Sequence, residues 1–310
     1  MVKRLISANT SDILAMNAED LKESIKASEG RVVLSENVVT SQPLGEDITN
    51  AEVAAAFGAD LILLNNMDVM NPVVMGLYDG EETMATAKPR HDRHIIKDLQ
   101  HLVGRPIGVN LEPIDVDADM LEERLEIVTG RTATPETLAE VERLGYNFVV
   151  LTGNPGTGVT NEQIVKNIKI AKQKFSGLVI AGKMHAAGVN EPLINSNIVK
   201  EFIDAGADVI LVPAVGTVPG LTDDELTEIV KIAHEANALV MSTIGTSQES
   251  GTTSYIENIA IRNKICGVDI QHIGDAGYGG MAPVENIFTL SKAIRGQRHT
   301  VSRMARSINR

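Results

Sequence analysis

The chain has 310 residues, of which 43% are hydrophobic and 3% aromatic, and it carries a net charge of −13. The negative charge and the few aromatic side chains disfavour a nucleic-acid surface. No apolar run reaches the ~18 residues that a membrane helix needs, and the single cysteine, Cys266, cannot form an internal disulfide. We therefore expect a cytoplasmic protein, with no linker that divides residues 1–310 into separate domains.

Eight apolar segments predict parallel strands. Four of them follow a glycine and a polar residue, at Gly58, Gly145, Gly206 and Gly267, as when a helix ends at glycine before a strand buried on both faces. The other four interleave with these, at residues 32–34, 107–111, 178–181 and 238–241. Eight strands that alternate with helices predict a closed (β/α)8 TIM barrel. A doubly wound open sheet is the alternative, but the first strand lacks the glycine fingerprint that usually follows it there.

Several helix starts are visible in the sequence. The capping-box spacing, a hydroxyl residue followed three positions later by Glu or Gln, occurs at Thr49, Thr160 and Thr222, and Pro135 fits the first position of another helix. Residues 10–28 predict one amphipathic helix within an N-terminal extension, residues 1–30, that covers the bottom of the barrel. The longest connection, residues 67–97, follows the second strand.

Polar side chains end most of the predicted strands, where barrel enzymes place their chemistry. Asn110 and Glu112 share one face of the third strand, and Lys183 and His185 share one face of the fifth. A carboxylate, an ammonium and an imidazole together suit proton transfer next to a carbonyl. We predict these four residues as catalytic; a barrel-closing ion pair and a structural histidine are the alternatives.

In the fifth strand, we expect Val179 and Ala181 inside the barrel and Lys183 in the mouth, within reach of Glu112 or His185. There Lys183 would act in acid–base chemistry, or as a Schiff-base nucleophile if it is fully desolvated. Further polar residues at the strand ends are predicted to contact the substrate: Glu36, Asn66, Asp68, Thr152, Asn154, Thr243 and Asp275.

A metal ion is hard to place from the sequence. No His-x-x-x-His pair or cysteine cluster indicates zinc. Carboxylates at Glu36, Asp68, Glu112 and Asp275 are ligands that suit Mg²⁺, although any acidic barrel mouth has this pattern. We expect that no cofactor is required and that Mg²⁺ is possible.

Two glycine-rich loops follow the last two strands, where barrels commonly hold phosphate. They predict an anion site between the backbone amides of residues 245–247 and 277–280. The predicted phosphate-binding residues are Gly245, Thr246, Ser247, Gly274, Gly277, Gly279 and Gly280. A third such loop, residues 153–160, is explained equally well by turn chemistry.

Two basic segments stand out in this acidic chain. Lys88, Arg90, Arg93 and His94 end the connection after the second strand, which predicts a lid that brings positive charge over an anionic ligand. A plain surface helix start is the alternative. The C-terminal tail holds several arginines without an acidic residue, which fits a partner contact, a ligand contact or a solvated end: Arg295, Arg298, Arg303, Arg306 and Arg310.

Three segments carry a family resemblance: residues 182–185, 243–246 and 274–280. Through them the chain resembles an uncharacterised bacterial family of phosphate-binding-type TIM barrels, sometimes labelled phosphoenolpyruvate phosphomutase-like. We expect a homo-oligomeric enzyme, a lyase, aldolase or isomerase acting on a small phosphorylated metabolite such as a sugar phosphate. The alternatives are a Mg-dependent phosphomutase- or isocitrate-lyase-like lyase and a non-catalytic barrel that binds a phosphorylated metabolite.

Overall fold

The computed structural model describes residues 2–91 and 94–310, in which eight parallel strands close a barrel in sequence order. The predicted TIM barrel is confirmed. The strands are β1 (Val32–Val38), β2 (Leu61–Asn65), β3 (Ile107–Leu111), β4 (Phe148–Leu151), β5 (Leu178–Gly182), β6 (Val209–Pro213), β7 (Leu239–Ile244) and β8 (Ile270–Ile273). No described helix has the length and apolarity required to cross a bilayer.

A helix follows each strand along the described chain. These helices are α3 (Asn50–Ala56), α4 (His94–Val103), α5 (Pro135–Leu144), α6 (Asn161–Lys174), α7 (Ser196–Ala205), α8 (Asp223–Glu235), α9 (Thr253–Cys266) and α10 (Val284–Met304). The hydroxyls of Thr49, Thr160 and Thr222 accept the backbone amides three residues on, as the capping spacing predicts. Short 3₁₀ turns occur at Leu5–Ser7, Thr129–Arg131 and Gln248–Ser250.

The N-terminal segment forms two helices, α1 (Thr10–Leu14) and α2 (Ala18–Lys26), so the prediction of one helix over residues 10–28 is wrong. Each helix has its own N-cap. Asp12 Oδ2 accepts the amide of Asn9 over 2.9 Å, and Asn17 Oδ1 accepts the amide of Asp20 over 2.9 Å. Apolar side chains of both helices pack against the lower part of the barrel interior and close its bottom.

Side chains along the strands alternate between two apolar clusters. One lies inside the barrel and includes Leu178 and Ile180; the other lies between the barrel and the helices and includes Val179 and Ala181. The prediction that Val179 and Ala181 lie inside the barrel is therefore wrong. Because strand side chains alternate, the same parity sends the next odd-numbered residue, Lys183, toward the helices.

Each of the four glycines that precede a strand is followed two positions later by Asp or Asn, and these four side chains make the same kind of contact at the barrel bottom. Each side chain accepts the backbone amide at or next to the start of the preceding odd-numbered strand, over 2.8–2.9 Å. The four pairs are Asp60 with Val33, Asn147 with Ile107, Asp208 with Val179, and Asp269 with Val240. The barrel is thus fastened at its base by four equivalent contacts, which satisfy amides at the strand starts.

The arginine-rich C-terminal segment is buried at Arg295 and Arg303, whereas Arg298 and Arg310 are exposed. Asp60 is fully buried and forms ion pairs with Arg295 and with Arg303, whose Nε lies 2.9 Å from Asp60 Oδ1. Arg306 donates to Asn9 Oδ1 over 2.6 Å. These contacts join the C-terminal segment to the base of the barrel and to the N-terminal segment, which gives Arg295, Arg303 and Arg306 a structural role.

Candidate active site

A cavity of about 570 Å³ opens at the carboxyl ends of the strands, within the size range of small-molecule sites. Of the residues predicted from the sequence, nine line it: Glu36, Asn110, Thr152, Asn154, His185, Gly245, Thr246, Ser247 and Asp275. The other predicted residues are not among its lining: Asn66, Asp68, Glu112, Lys183, Thr243, Gly274, Gly277, Gly279 and Gly280.

The inward parity of the strands explains most of the cavity floor. Glu36 continues the inward series of β1, Thr152 that of β4, and Asn65 that of β2. Asn65 was missed in favour of Asn66, which adopts a left-handed backbone conformation and whose amide donates to Asn65 Oδ1. The signal was present, because Leu61, Leu63 and Asn65 have the same parity.

Glu36 forms a buried pair with His272, another inward residue that the sequence prediction missed. His272 Nε2 lies 2.8 Å from Glu36 Oε2, and both side chains are almost completely buried. Burial foremost, and then the charges of Glu249 and Glu112, raise the pKa of Glu36 to about 8. Burial lowers the pKa of His272 to about 4. Near pH 7 the pair is therefore uncharged overall and holds a proton on the carboxyl group.

Asp275 reaches the cavity from the loop after β8 and is less buried than Glu36. Burial, followed by the charge of Glu36, raises its pKa to about 7, and a hydrogen bond from Asn65 Nδ2 at 2.9 Å opposes the shift. The same amide group of Asn65 donates to Asn154 Oδ1 over 2.9 Å. Asp275 is thus oriented by a strand residue and titrates near neutral pH.

Glu112 supports this network from behind the cavity wall. Its carboxylate accepts the backbone and side-chain N–H groups of Asn154, both over 2.8 Å, and pairs with Arg131 over 2.7 Å. Asn110 Nδ2 donates to Asn65 Oδ1 over 3.2 Å. Glu112 is 1% exposed, and its carboxylate already accepts hydrogen bonds from Asn154 and Arg131. Its position therefore suits a residue that orients Asn154 better than one that reacts with a substrate.

Glu249, which the sequence analysis did not single out, lies between the two glycine-rich loops. Its Oε1 accepts the backbone amide of Ala276 over 2.9 Å, and the residue is 1% exposed on the cavity wall. Burial raises the pKa of Glu249. A side-chain carboxylate of the protein therefore lies beside the predicted anion site, on an amide that was not among those predicted.

The amides of the last glycine-rich loop are also engaged by the protein. Those of Gly274, Gly277 and Gly280 donate to the carbonyls of Ile244, Asp275 and Gly277 over 2.8–3.2 Å. The hydroxyl of Thr246 donates to the carbonyl of Thr217 over 3.1 Å. The two loops meet as predicted, and two of the four amides in residues 277–280 are engaged within their own loop, so the anion site stays a prediction.

Lys183 does not point into the barrel mouth, and that prediction is wrong. It is 1% exposed and pairs with Glu191, in the connection between β5 and α7. Glu191 Oε1 also accepts the amide of Asn161, at the start of α6, over 2.8 Å. Burial lowers the pKa of Lys183, and the hydrogen bond to Glu191 opposes this shift. The geometry gives Lys183 a structural contact between loop and helix.

His185 lines the cavity as a neutral imidazole. Burial, and then the positive charge of Lys183, lower its pKa to about 4. Its Nδ1 accepts the amide of Ala187 over 3.0 Å, so the neutral ring carries its proton on Nε2. No lysine or arginine among residues 2–91 and 94–310 lines the cavity. Its ionisable wall is thus acidic, apart from a neutral histidine.

Of the four residues predicted for Mg²⁺, Glu36 and Asp275 line the cavity, whereas Asp68 and Glu112 do not. Among the residues that the structure describes, no three His, Cys, Asp or Glu side chains form a metal-binding group. Asp68 accepts the amides of Met70 and Asn71 over 3.0 and 3.1 Å and lies outside the cavity lining. Glu112 is engaged by Asn154 and Arg131. Because Mg²⁺ can be held by one or two carboxylates together with water and substrate oxygens, a Mg²⁺ site in this cavity stays a prediction.

The cavity rim is formed by the connection from β3 to α5, which the sequence analysis did not identify as long. Leu121 and Glu122 line the cavity, and the amides of Leu121 and Leu125 donate to the carbonyls of Gly188 and Gly156, both over 2.8 Å. A side chain at position 188 would meet Glu122. Close approach of this segment therefore explains glycines in the neighbouring loops without a ligand.

The connection after β2, predicted as a lid, contributes no residue to the cavity lining among those described. Arg90 pairs with Asp79 and Asp98 over 3.8 and 3.6 Å, and Lys88 is exposed. Arg93, one of the four predicted cations, lies outside the described residues. The lid stays a prediction.

Comparison with known proteins shows the family but no activity. Residues 6–310 match the model described as "Domain of unknown function (DUF7916)", and the chain belongs to this family. No protein of curated function matches the sequence.

Solved structures with a similar fold are distant from this chain. A 2,3-dimethylmalate lyase, described as a PEP mutase/isocitrate lyase superfamily member, is 14% identical, with 83% of this chain and 80% of that chain covered and a TM-score of 0.49. Thiamine phosphate pyrophosphorylase from Pyrococcus furiosus is 13% identical, with 86% and 97% covered and a TM-score of 0.49. An oxaloacetate acetylhydrolase is 14% identical, with 83% and 79% covered and a TM-score of 0.47. At these values their activities say nothing about this chain.

Proposed function

We propose that this member of the DUF7916 family is an enzyme of the lyase or isomerase type. It moves protons to and from a small polar substrate in the mouth of the barrel. The observation that carries the proposal is the convergence of Glu36, Glu249 and Asp275 on one cavity from three different elements. Enzymes place carboxyl groups in unlike environments so that one holds a proton while another accepts one.

The two carboxyl groups whose pKa values lie nearest to neutral pH have different partners. Asp275, with a pKa of about 7, lies at the cavity and is oriented by Asn65. Glu36, with a pKa of about 8, is deeper and paired with His272. A group whose pKa lies near the working pH is the most effective general acid or base. Asp275 is therefore assigned the proton transfer at the substrate, and Glu36 keeps a proton close behind it.

The other wall residues bind and orient the substrate. The neutral ring of His185 carries its proton on Nε2 and donates to a substrate oxygen. Amide side chains of Asn110 and Asn154 form the polar floor, and Glu112 fixes Asn154 from behind. No step is assigned to Lys183, because it pairs with Glu191 away from the cavity lining.

The cavity does not favour a phosphorylated substrate, which the sequence analysis expected. Phosphate sites use cationic side chains or unpaired amides. Within the described part of the chain, this wall offers no lysine or arginine, and Glu249 takes the amide of Ala276. We therefore propose an uncharged or positively charged substrate.

A second candidate is a barrel that binds a small metabolite without converting it. The observation in its favour is the absence of a lysine from the described cavity lining. The two functions differ in whether bound ligand exchanges its carbon-bound hydrogens with solvent.

Proton exchange in D₂O tests the proposal. The protein is incubated with small hydroxy- and amino-carbonyl compounds, and deuterium incorporation next to the carbonyl is followed by NMR. We expect incorporation by the wild type, loss of at least about tenfold in rate in Asp275→Asn, and no change in Glu257→Gln, an exposed carboxylate on α9. Binding without exchange in every case would favour the second candidate.

A further inference from the structure

We infer that the mouth of the barrel recognises a small organic cation, a compound that carries a primary ammonium group beside hydroxyl or carbonyl groups. This inference rests on the proposed function and names the substrate class of the same cavity.

The charge of the wall is one-sided. Glu36, Glu122, Glu249 and Asp275 line the cavity, and Glu112 stands behind it. The carboxyl groups repel each other: Glu249 and Glu112 disfavour ionised Glu36, and Glu36 disfavours ionised Asp275. A positive charge placed between such groups removes this repulsion and replaces the water that burial has taken away. A phosphate group would add to the repulsion between the carboxyl groups.

Several buried oxygens of wall residues have no hydrogen-bond partner. They are Oδ1 of Asn110, Oγ1 of Thr152 and Oε2 of Glu249, on side chains that are 1–3% exposed. Buried acceptors without a donor cost free energy, so native structures rarely keep them unless a ligand or water supplies the donor. An ammonium group donates three hydrogen bonds and accepts none, which matches Asn110 Oδ1 and an ionised Glu249, while the hydroxyl of Thr152 can accept as well as donate.

The arrangement fits an organic cation better than a metal ion. A metal draws its ligands to within about 2.0–2.6 Å of one point, and the described acidic and histidine side chains form no such group. The acceptors here belong to different strands and loops around a cavity of about 570 Å³. Carboxylates spread in this way suit a molecule whose donors are spread along its length.

Matched probes test the inference on the full-length protein. Binding of serinol, glycerol and glycerol 3-phosphate, which share a three-carbon skeleton, is measured by calorimetry and by protection against thermal unfolding. Glucosamine, glucose and glucose 6-phosphate form a second set. In at least one set we expect the amine to bind about tenfold or more tightly than its hydroxyl analogue, and the phosphate ester to bind most weakly.

Variants assign the binding to the wall. We expect Asp275→Asn and Glu249→Gln each to weaken amine binding about tenfold or more, and Glu257→Gln to leave it unchanged. Glu122 is exposed on the rim, so we expect Glu122→Gln to fold normally and to weaken amine binding by a smaller factor. This variant tests the inference if either buried variant fails to fold.

Three results would overturn the inference: no binding by either amine, equal binding by the hydroxyl compounds, or amine binding that none of the wall variants weakens. Deuterium exchange separates these from failure of the proposed function. If an uncharged compound exchanges its hydrogens and the exchange depends on Asp275, the proposed catalysis stands and only the proposed ammonium group of the substrate is overturned. Amine binding without any exchange would support the ligand class while overturning the proposed catalysis.

Discussion

Oε1 of Glu249 accepts the backbone amide of Ala276 over 2.9 Å, so a buried carboxylate of the protein joins the loops after β7 and β8. These loops are where barrels commonly hold phosphate. The contact changes the expected ligand, because it uses an amide of the loop after β8 and adds negative charge beside the predicted anion site.

The first prediction is that inorganic phosphate leaves the thermal stability of the wild-type protein unchanged. A ligand that binds the native state raises the midpoint of unfolding with the logarithm of its concentration over its Kd, and repulsion by Glu249 and Asp275 prevents this here. Thermal unfolding is measured in increasing phosphate against chloride at equal ionic strength. A rise that follows the logarithm of the phosphate concentration, and that chloride does not produce, would restore the anion site expected from the sequence.

The second prediction concerns the pH dependence of stability at Glu36. Its pKa is raised from 4.5 to about 8, so the folded state holds a proton that the unfolded chain releases. This contribution is complete below about pH 4.5 and is lost as the pH rises toward 8. Glu36→Gln mimics the protonated group, so it gains on the wild type as the pH rises, with a difference of the order of 4 kcal/mol by about pH 8.

Denaturant unfolding at a series of pH values measures this difference between wild type and Glu36→Gln. Glu257→Gln is the control, because its carboxylate is exposed, and its difference from the wild type stays constant. A constant difference for Glu36→Gln as well would show that Glu36 ionises normally in the folded protein.

The barrel itself was predictable from the sequence. Glycines such as Gly145 and Gly206 end helices in the left-handed conformation, and the apolar runs after them are long enough for strands covered on both faces. These are local signals, written in consecutive residues. The break between α1 and α2 was less visible, because the apolar pattern continues across it and only the capping by Asn17 divides the helices.

The site was predicted in part, for reasons of parity and distance. Glu36 and Asp275 follow their strands and line the cavity, although their roles stay predictions. Lys183 was placed on the wrong face because the inward series of β5 was started from Val179 and not from Leu178. Glu249 joins two loops through a contact 27 residues apart in sequence, and no local pattern indicates such a contact.

The third prediction is that Lys183→Met destabilises the protein without abolishing its activity. The substitution leaves Glu191 without its cation, and since Glu191 is partly exposed we expect a loss of about 1–3 kcal/mol in the free energy of unfolding. Lys166→Met is the matched control, because the pair of Lys166 with Glu162 is exposed on α6 and should contribute little to stability.

Unfolding in urea and deuterium exchange of a substrate measure the two effects of Lys183→Met separately. The double variant with Glu191→Leu should recover part of the lost stability, since it removes the stranded charge. If Lys183→Met were as stable as the wild type but inactive, the result would indicate a catalytic role for Lys183.

The last prediction locates the moving part of the mouth. Residues 113–128 carry Leu121 and Glu122 on the cavity wall, and main-chain hydrogen bonds at Leu121 and Leu125 hold them to the neighbouring loops. Ligand binding should therefore slow amide hydrogen exchange in residues 113–128 more than in residues 67–91, which contribute nothing to the described cavity lining. Exchange is followed by mass spectrometry with and without an amine probe, and Asp275→Asn serves as the control that binds it weakly. Stronger protection of residues 67–91 would instead make the connection after β2 the lid that its cations suggested, because only a segment that closes over the ligand gains protection from it.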